Sequence, residues 1–218
     1  MRACQKRCCT GGFALVFPER SSTVTVFLAI DLDDAVRTRA AAVIEQARPT
    51  VDARWVRADK LHLTLVFLGN PAVEQVETLR ARASAVAARH RPFGLRLSGV
   101  GTFGTARAPS VLWLGVSGDL GLLHALQADA RAHLLLDDLP GVQPIERERP
   151  YAPHVTLARS KDGHPFGALE ASLRTFESPS FHVGHVTLYE STASEYRPLH
   201  RASLGVDVST GHIGLTGK

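Results

Sequence analysis

Two short motifs that contain histidine and threonine carry the residue types best suited to chemistry in this sequence. His-Leu-Thr-Leu begins at His62 and His-Val-Thr-Leu begins at His154, so the motif recurs after 92 positions (154 − 62 = 92). Alternate residues of a β-strand share one face, so each motif would present an imidazole beside a hydroxyl and turn its apolar residues to the core. The recurrence indicates duplicated lobes with a shared cleft.

Two histidines in one cleft can divide the work of a displacement at phosphorus. Imidazole titrates near neutral pH, at about 6.5, so one ring can take a proton from water while the other protonates the departing oxygen. The hydroxyls of Thr64 and Thr156 can donate to phosphate oxygens, and Arg159 can bind the anion with two donors. This chemistry needs neither a metal nor a cofactor, and we predict none.

A third copy of the motif begins at His185. One motif from each lobe is enough for an acid and a base, and the second lobe already contains His154. We therefore favour a structural role for His185 over a direct chemical one, although a position bordering the groove stays open.

Composition and charge narrow the class of protein. The 218 residues include 25 Lys and Arg against 21 Asp and Glu, a net charge of +4 that suits an anionic ligand without requiring nucleic acid. The cysteines, Cys4, Cys8 and Cys9, all fall near the start, so the body of the chain has no disulfide or metal-binding cysteines. No apolar run is long enough for a signal peptide or a membrane span. We expect a soluble, cytoplasmic monomer.

Strand and helix signals alternate along the chain. Residues 23–30 predict the first strand and residues 31–48 an alanine-rich helix. Asn70 followed by Pro71 is typical of a helix N-cap, and Gly118 precedes another helix. The pattern predicts an α+β fold with two pseudo-twofold lobes of mostly antiparallel sheet, helices on the outer faces and a central cleft.

The same pattern suggests boundaries. Residues 1–22 are expected to be a disordered N-terminal extension and 207–218 a frayed C-terminal tail. Between them, 23–206 would form a single bilobal domain, with the first lobe at about 23–117 and the second at about 118–206.

Several further segments accompany the His-x-Thr motifs in a recognisable order. They are F-L-A-I-D at 27–31, R-W-V at 54–56, P-S-V-L-W-L-G at 109–115, Y-A-P-H-V-T-L-A-R at 151–159 and V-T-L-Y-E-S at 186–191. The set resembles the two-histidine phosphoesterases, specifically the bacterial and archaeal RNA 2',3'-cyclic phosphodiesterases long called 2'-5' RNA ligases. The resemblance covers residues 25–205, and it puts the third motif at the family's closing strand.

The resemblance implies a metal-free enzyme that hydrolyses the terminal 2',3'-cyclic phosphate of RNA to a 2'-phosphate. His62 would be the proton donor to the leaving 3' oxygen, and His154 the proton acceptor that activates water. Thr64, Thr156 and Arg159 would hold the phosphate. The partner is then an RNA with a cyclic phosphate end, or a cyclic nucleotide.

Two alternatives stay open. The same groups can run the reverse reaction, in which a 5'-hydroxyl replaces water and joins RNA ends by a 2'-5' linkage. The fold can also serve as a non-catalytic module that binds RNA ends or nucleotides, with Tyr151, Phe103 and the basic residues Arg147 and Arg149 contacting the strand by stacking and charge. We place Tyr151 among the candidate substrate-binding residues.

Overall fold

Two antiparallel sheets form the framework of the protein. The computed structural model describes residues 25–105, 108–136, 139, 142, 150–160, 166–192 and 194–205. The predicted extension with its cysteines, the run 146–149 and the predicted tail lie outside the described residues. The first sheet has the order β3 (His62–Gly69), β1 (Thr25–Asp31), β8 (His185–Ser191), β9 (Tyr196–Ser203). The second has the order β2 (Arg54–Trp55), β6 (His154–Arg159), β5 (Ala108–Gly118), β4 (Phe93–Thr105), β7 (Phe181–Val183).

Four α-helices flank these sheets in the described part of the chain: α1 (Asp34–Ala47), α2 (Val76–Ala87), α3 (Leu120–Leu134) and α4 (Gly167–Leu173). Helix α2 packs against β8, β9 and α3. Helix α3 also packs against β3, and α4 packs against β4. None of the described helices combines the length and apolar character that crossing a membrane requires. The predicted α+β architecture with antiparallel sheets is confirmed.

The two sheets do not divide at residue 117, so the predicted lobe boundary needs correction. The first sheet joins β1 and β3, from early in the chain, to β8 and β9, from its end. The cause lies in β1, whose five central residues are buried. A buried strand needs hydrogen-bonding partners on both edges, and β1 finds them in β3 on one side and β8 on the other. Each lobe is thus closed by chain from the other half.

Helix α1 begins as its sequence suggests. The carboxylate of Asp33 accepts a hydrogen bond from the Val36 amide at 2.8 Å, which satisfies one of the free N–H groups of the first turn. Val36, Ala40 and Ile44 recur at helical spacing and are buried. Helix α3 likewise buries Leu123, Leu126, Ala130 and Leu134 at helical spacing.

The predicted N-cap at Asn70 is wrong. Ala72 is still extended, and a short 3₁₀ turn at Val73–Gln75 precedes α2. The side chain of Gln75 accepts from the Ala72 amide at 2.8 Å and so caps this turn. The Asn70 side-chain oxygen instead lies 3.2 Å from the hydroxyl of Thr25, which donates to it.

Candidate active site

The strands that carry the first two His-x-Thr motifs, β3 and β6, each bulge directly after the threonine. In β3, Thr64 lies opposite Ala29, but the next pair joins Val66 to Leu28, so Leu65 is an extra residue relative to β1. A bulge of this kind leaves one residue unpaired and reverses the alternation of the side chains beyond it. Leu65 and Val66 are consecutive and both buried.

The second motif repeats this irregularity. In β6, Thr156 lies opposite Trp113 while Ala158 lies opposite Leu112, so Leu157 is the extra residue. Leu157 and Ala158 are both fully buried. The fifth residue after each histidine, which a regular strand would turn to the core, therefore faces the cleft.

The two motifs meet at one cavity of about 270 Å³. His62, Thr64, His154, Thr156 and Arg159 all line it, so the predicted catalytic and phosphate-binding side chains are brought together from β3 and β6. The remaining lining residues are Thr25, Phe27, Val56, Lys60, Phe67, Phe103, Val111, Ser191 and Tyr196.

Both imidazoles are oriented by the same backbone contact. Nδ1 of His62 lies 2.7 Å from the Lys60 carbonyl oxygen, and Nδ1 of His154 lies 2.7 Å from the Ala152 carbonyl oxygen. A carbonyl only accepts, so each Nδ1 is the protonated donor and Nε2 is the nitrogen that can exchange a proton. Nε2 of His62 is 3.0 Å from the hydroxyl of Thr64.

Aromatic rings confine each imidazole on its own side of the cavity. The Phe27 ring lies 4.9 Å from that of His62, and Tyr196 meets His62 edge-on at 5.3 Å. On the other side, Phe103 meets His154 edge-on at 4.8 Å. Packing of this kind holds the rings in one orientation, as acid–base catalysis requires.

The surroundings of His62 disfavour its charged form. Burial lowers its pKa below the ordinary value of 6.5, and the positive charges of His154 and Arg159 act in the same direction. The hydrogen bond to the Lys60 carbonyl and the carboxylate of Asp31 oppose the shift. A phosphate in the cavity would add negative charge and raise this pKa again.

His185 is occupied by contacts away from the cavity lining. Its Nδ1 accepts from a guanidinium nitrogen of Arg201 at 3.0 Å, so Nε2 carries the proton and donates to Asp31 at 3.1 Å. Thr187 and Tyr189 donate to the same carboxylate at 2.8 Å and 2.7 Å. With both nitrogens engaged, His185 is poorly placed to shuttle protons.

Sequence reasoning missed Asp31, which ends β1 directly opposite His62. Burial on its own raises the pKa of this carboxyl group, but the hydrogen bonds from His185, Tyr189 and Thr187 outweigh burial and lower the pKa to about 2. An acidic residue at the end of an otherwise apolar strand is a signal that could have identified it.

Tyr151 does not appear among the residues that line the cavity. Its hydroxyl donates to the Thr64 carbonyl at 3.0 Å, so it connects the segment before β6 to β3. The structure therefore gives Tyr151 a contact between the two sheets where a substrate contact was predicted. Lys60 and Tyr196, which the sequence analysis missed, do line the cavity, and the Lys60 ammonium lies 4.8 Å above the Tyr196 ring.

No metal-binding site is evident in the described segments. They contain no cluster of three or more His, Cys, Asp or Glu side chains arranged to hold a metal ion.

Two His-x-Thr strands from two antiparallel sheets, meeting at one cavity, define a two-histidine site on a bilobal α+β fold. The sequence profile described as "2'-5' RNA ligase superfamily" matches residues 32–195, and the chain belongs to that family.

Individual relatives agree with this membership. An RNA 2',3'-cyclic phosphodiesterase of Geobacillus stearothermophilus is 32% identical over 195 residues, covering 88% of this chain and 60% of that protein. The chain thus spans less than two thirds of the length of this relative. A protein of the same name from Archaeoglobus fulgidus is 28% identical over 156 residues, covering 72% of this chain and 82% of its own length.

Solved structures share the fold. A crystal structure of a Thermus thermophilus protein superposes with a TM-score of 0.66 at 27% identity, covering 84% of this chain and 99% of its own. E. coli LigT complexed with 3'-AMP superposes with a TM-score of 0.61 at 29% identity, with the same coverage of 84% and 99%.

Proposed function

We propose that this protein hydrolyses the terminal 2',3'-cyclic phosphate of RNA to a 2'-phosphate, by acid–base catalysis between two histidines and without a metal. The observation that carries the proposal is the shared cavity, which His62 and His154 line together with the threonine of each strand, both rings being bound through Nδ1 to the backbone. The names of the bacterial and archaeal relatives support the same substrate.

The proton movements follow from the ring orientations. Nε2 of His154 takes a proton from water as the water oxygen bonds to phosphorus. Nε2 of His62 gives its proton to the 3' oxygen as the bond from phosphorus to that oxygen breaks, so the phosphate stays on the 2' oxygen. Each positioned proton transfer raises the reaction rate by a factor on the order of 10²–10⁴.

The phosphate would be held by donors from both strands. Once Nε2 of His62 is protonated it no longer accepts from Thr64, so the threonine hydroxyl can donate to a non-bridging oxygen of the phosphate while Nε2–H faces the 3' oxygen. Thr156 offers a second hydroxyl, and Arg159 supplies a charge-assisted contact, which is the stronger kind of hydrogen bond. These donors act on charge that grows in the transition state.

A defined oligonucleotide with a 2',3'-cyclic phosphate end tests the proposal. We expect the protein to convert it to the 2'-phosphate product, and His62→Ala and His154→Ala each to lower turnover by a factor on the order of 10²–10⁴. His182→Ala is a matched control, because His182 is exposed on β7 and does not line the cavity. Near-normal turnover by His154→Ala, or a 3'-phosphate product, would contradict the assignment.

Metal independence has its own measurement. Turnover should be unchanged after prolonged treatment with EDTA and should not rise when Mg²⁺, Mn²⁺ or Zn²⁺ is added back. Loss of activity with EDTA and its recovery with one of these ions would show that the two histidines do not act alone.

Ligation is a second candidate, because the family takes its name from that reaction. A 5'-hydroxyl in place of water would use the same proton transfers, with His154 taking the proton of the 5'-hydroxyl and His62 protonating the departing 3' oxygen. Incubation with a second RNA that carries a 5'-hydroxyl, followed by a search for a joined product, separates the two outcomes; at high water activity we expect hydrolysis to dominate. The cytoplasmic location and the monomeric state stay predictions.

A further inference from the structure

Arg54 and Arg159 lie directly opposite each other on neighbouring strands. The two-residue strand β2 pairs Arg54 with Arg159 and Trp55 with Ala158. Residues that are opposite in an antiparallel pair share a face, with Cα atoms about 4.5–5.5 Å apart. Because Arg159 lines the cavity, Arg54 continues the same face just beyond it.

The backbone holds this arrangement in place. The Val56 amide donates to the Leu157 carbonyl at 2.8 Å, next to the bulge that turns Arg159 to the cleft. The indole of Trp55 donates to the Val51 carbonyl at 3.3 Å and packs against the core. The Arg54 side chain is exposed. These contacts of the next two residues fix the backbone that carries it.

No carboxylate neutralises the two guanidinium groups within the described part of the chain. Neither Arg54 nor Arg159 forms an ion pair there, whereas Arg57 is bound through two nitrogens to Asp59 at 3.0 Å and 2.9 Å. Like charges directly opposite each other in a sheet are destabilising. A pair of this kind beside a cavity points to an anion as the missing counter-charge.

Both guanidinium groups also act on the cavity wall. Burial raises the pKa of the Tyr196 hydroxyl, and the positive charges of Arg159 and Arg54 oppose that rise. Arg54 is thus close enough to influence a residue that lines the cavity, although it does not line the cavity itself. Its natural ligand is an anion adjacent to the one that Arg159 holds.

We propose that Arg54 binds the phosphodiester on the 5' side of the terminal nucleotide, which makes the end of an RNA strand, in place of a free cyclic mononucleotide, the preferred substrate. The inference rests on the proposed function, because the terminal cyclic phosphate must occupy the cavity for the next phosphate to reach Arg54. An anion at this position relieves the repulsion between the two arginines and lengthens the binding site by one nucleotide.

The test compares three substrates and three forms of the full-length protein. The substrates are a short RNA with a 2',3'-cyclic phosphate end, the same RNA with an uncharged methylphosphonate at its last internucleotide linkage, and the matching 2',3'-cyclic mononucleotide. The proteins are wild type, Arg54→Gln and the matched control Arg57→Gln, whose arginine is exposed but already paired with Asp59.

We expect Arg54→Gln to lower kcat/KM on the RNA by about tenfold, the lower end of the loss that follows when one hydrogen bond to a charged group is removed. Its kcat/KM on the methylphosphonate RNA and on the mononucleotide should stay within about twofold of wild type. The dependence of log(kcat/KM) on log[salt] should lose about 0.7 from its slope for the RNA, as one phosphate contact to a single strand predicts. Arg57→Gln should match wild type on all three substrates.

Equal losses on all three substrates, or no loss on the RNA, would overturn the inference and leave the proposed function standing. Failure of the wild-type protein to hydrolyse either the RNA or the mononucleotide would overturn the proposed function and this inference with it.

Discussion

Arg159 and Phe67 occupy equivalent positions in the two halves of the site, each five residues after the histidine of its strand. Both side chains line the cavity, because both strands bulge between the threonine and this position. The duplicated scaffold thus carries a guanidinium on the side of His154 and an apolar ring on the side of His62. The site is therefore symmetric in backbone and asymmetric in charge.

This asymmetry predicts unequal consequences at the two positions. Arg159→Gln should lower kcat/KM by about 10–100-fold, because a hydrogen-bonded charge on the phosphate is lost. Arg159→Lys should recover part of that loss, since it retains the charge without the two-pronged geometry. Phe67→Leu keeps an apolar side chain, so it should lower kcat/KM by a smaller factor than Arg159→Gln. Steady-state kinetics on the cyclic-phosphate RNA would measure all three, and equal activity of Arg159→Gln and wild type would refute the phosphate role.

The pH dependence of the reaction should be bell-shaped. His154 must be neutral to accept a proton, and His62 must be charged to donate one. Burial lowers the pKa of His62, so one limb of the kcat/KM profile, which reports the free enzyme, should lie below pH 6.5. The bound phosphate favours the imidazolium, so the corresponding limb of the kcat profile should lie at higher pH. The apparent values belong to the coupled pair. If the limbs of kcat and kcat/KM fall at the same pH values, the bound phosphate does not raise the pKa of His62.

The carboxylate of Asp31 should stabilise the protein at neutral pH and stop doing so in acid. Its pKa is about 2 in the folded protein against an ordinary 3.8, so its contribution is complete above about pH 4 and is lost as pH falls toward 2. Asp31→Asn should lower the free energy of unfolding by about 2 kcal/mol at pH 7. The difference from wild type should shrink at pH 3.

Urea unfolding at the two pH values measures this difference. Asp52→Asn provides a control, because Asp52 is exposed in the loop after α1. If Asp31→Asn lowers the free energy of unfolding by the same amount at pH 7 and pH 3, the loss comes from changed packing and not from the lost charge.

Gly101 provides the space for the Trp113 ring beside His154. A Cβ atom at Gly101 would clash with ring carbons of Trp113, closer than real contacts allow. The ring of Trp113 packs 5.2 Å from Phe103 and 6.1 Å from His154. Gly101→Ala should therefore displace these rings, lower stability by about 1–3 kcal/mol and reduce turnover.

Two further variants complete that experiment. Gly121→Ala should leave turnover unchanged, because nothing lies within 4 Å of a Cβ atom at that helical position. The double variant Gly101→Ala, Trp113→Phe should recover activity relative to Gly101→Ala alone, since the smaller ring vacates the space. Absence of any recovery would show that the steric contact is not the cause.

Most of the site could be predicted from local patterns in the sequence. Alternation in a strand places His62 with Thr64 and His154 with Thr156, which needs no knowledge of the tertiary fold. The same reasoning, applied strictly, would put Arg159 on the opposite face from His154, because five is an odd separation. Arg159 was assigned to the site by its chemistry, and only the bulge at Leu157 explains how it reaches the cavity.

The amino-acid sequence by itself determined the two motifs, the antiparallel α+β character and the separate sources of the two imidazoles, because each depends on periodicity within a single segment. Only the tertiary structure decided that β1 pairs with β8, that Arg54 stands beside Arg159 and that Asp31 binds His185. These contacts join residues far apart in the chain, where hydrogen-bonding demands of buried strands and burial of apolar faces select the partner, and no local pattern encodes them.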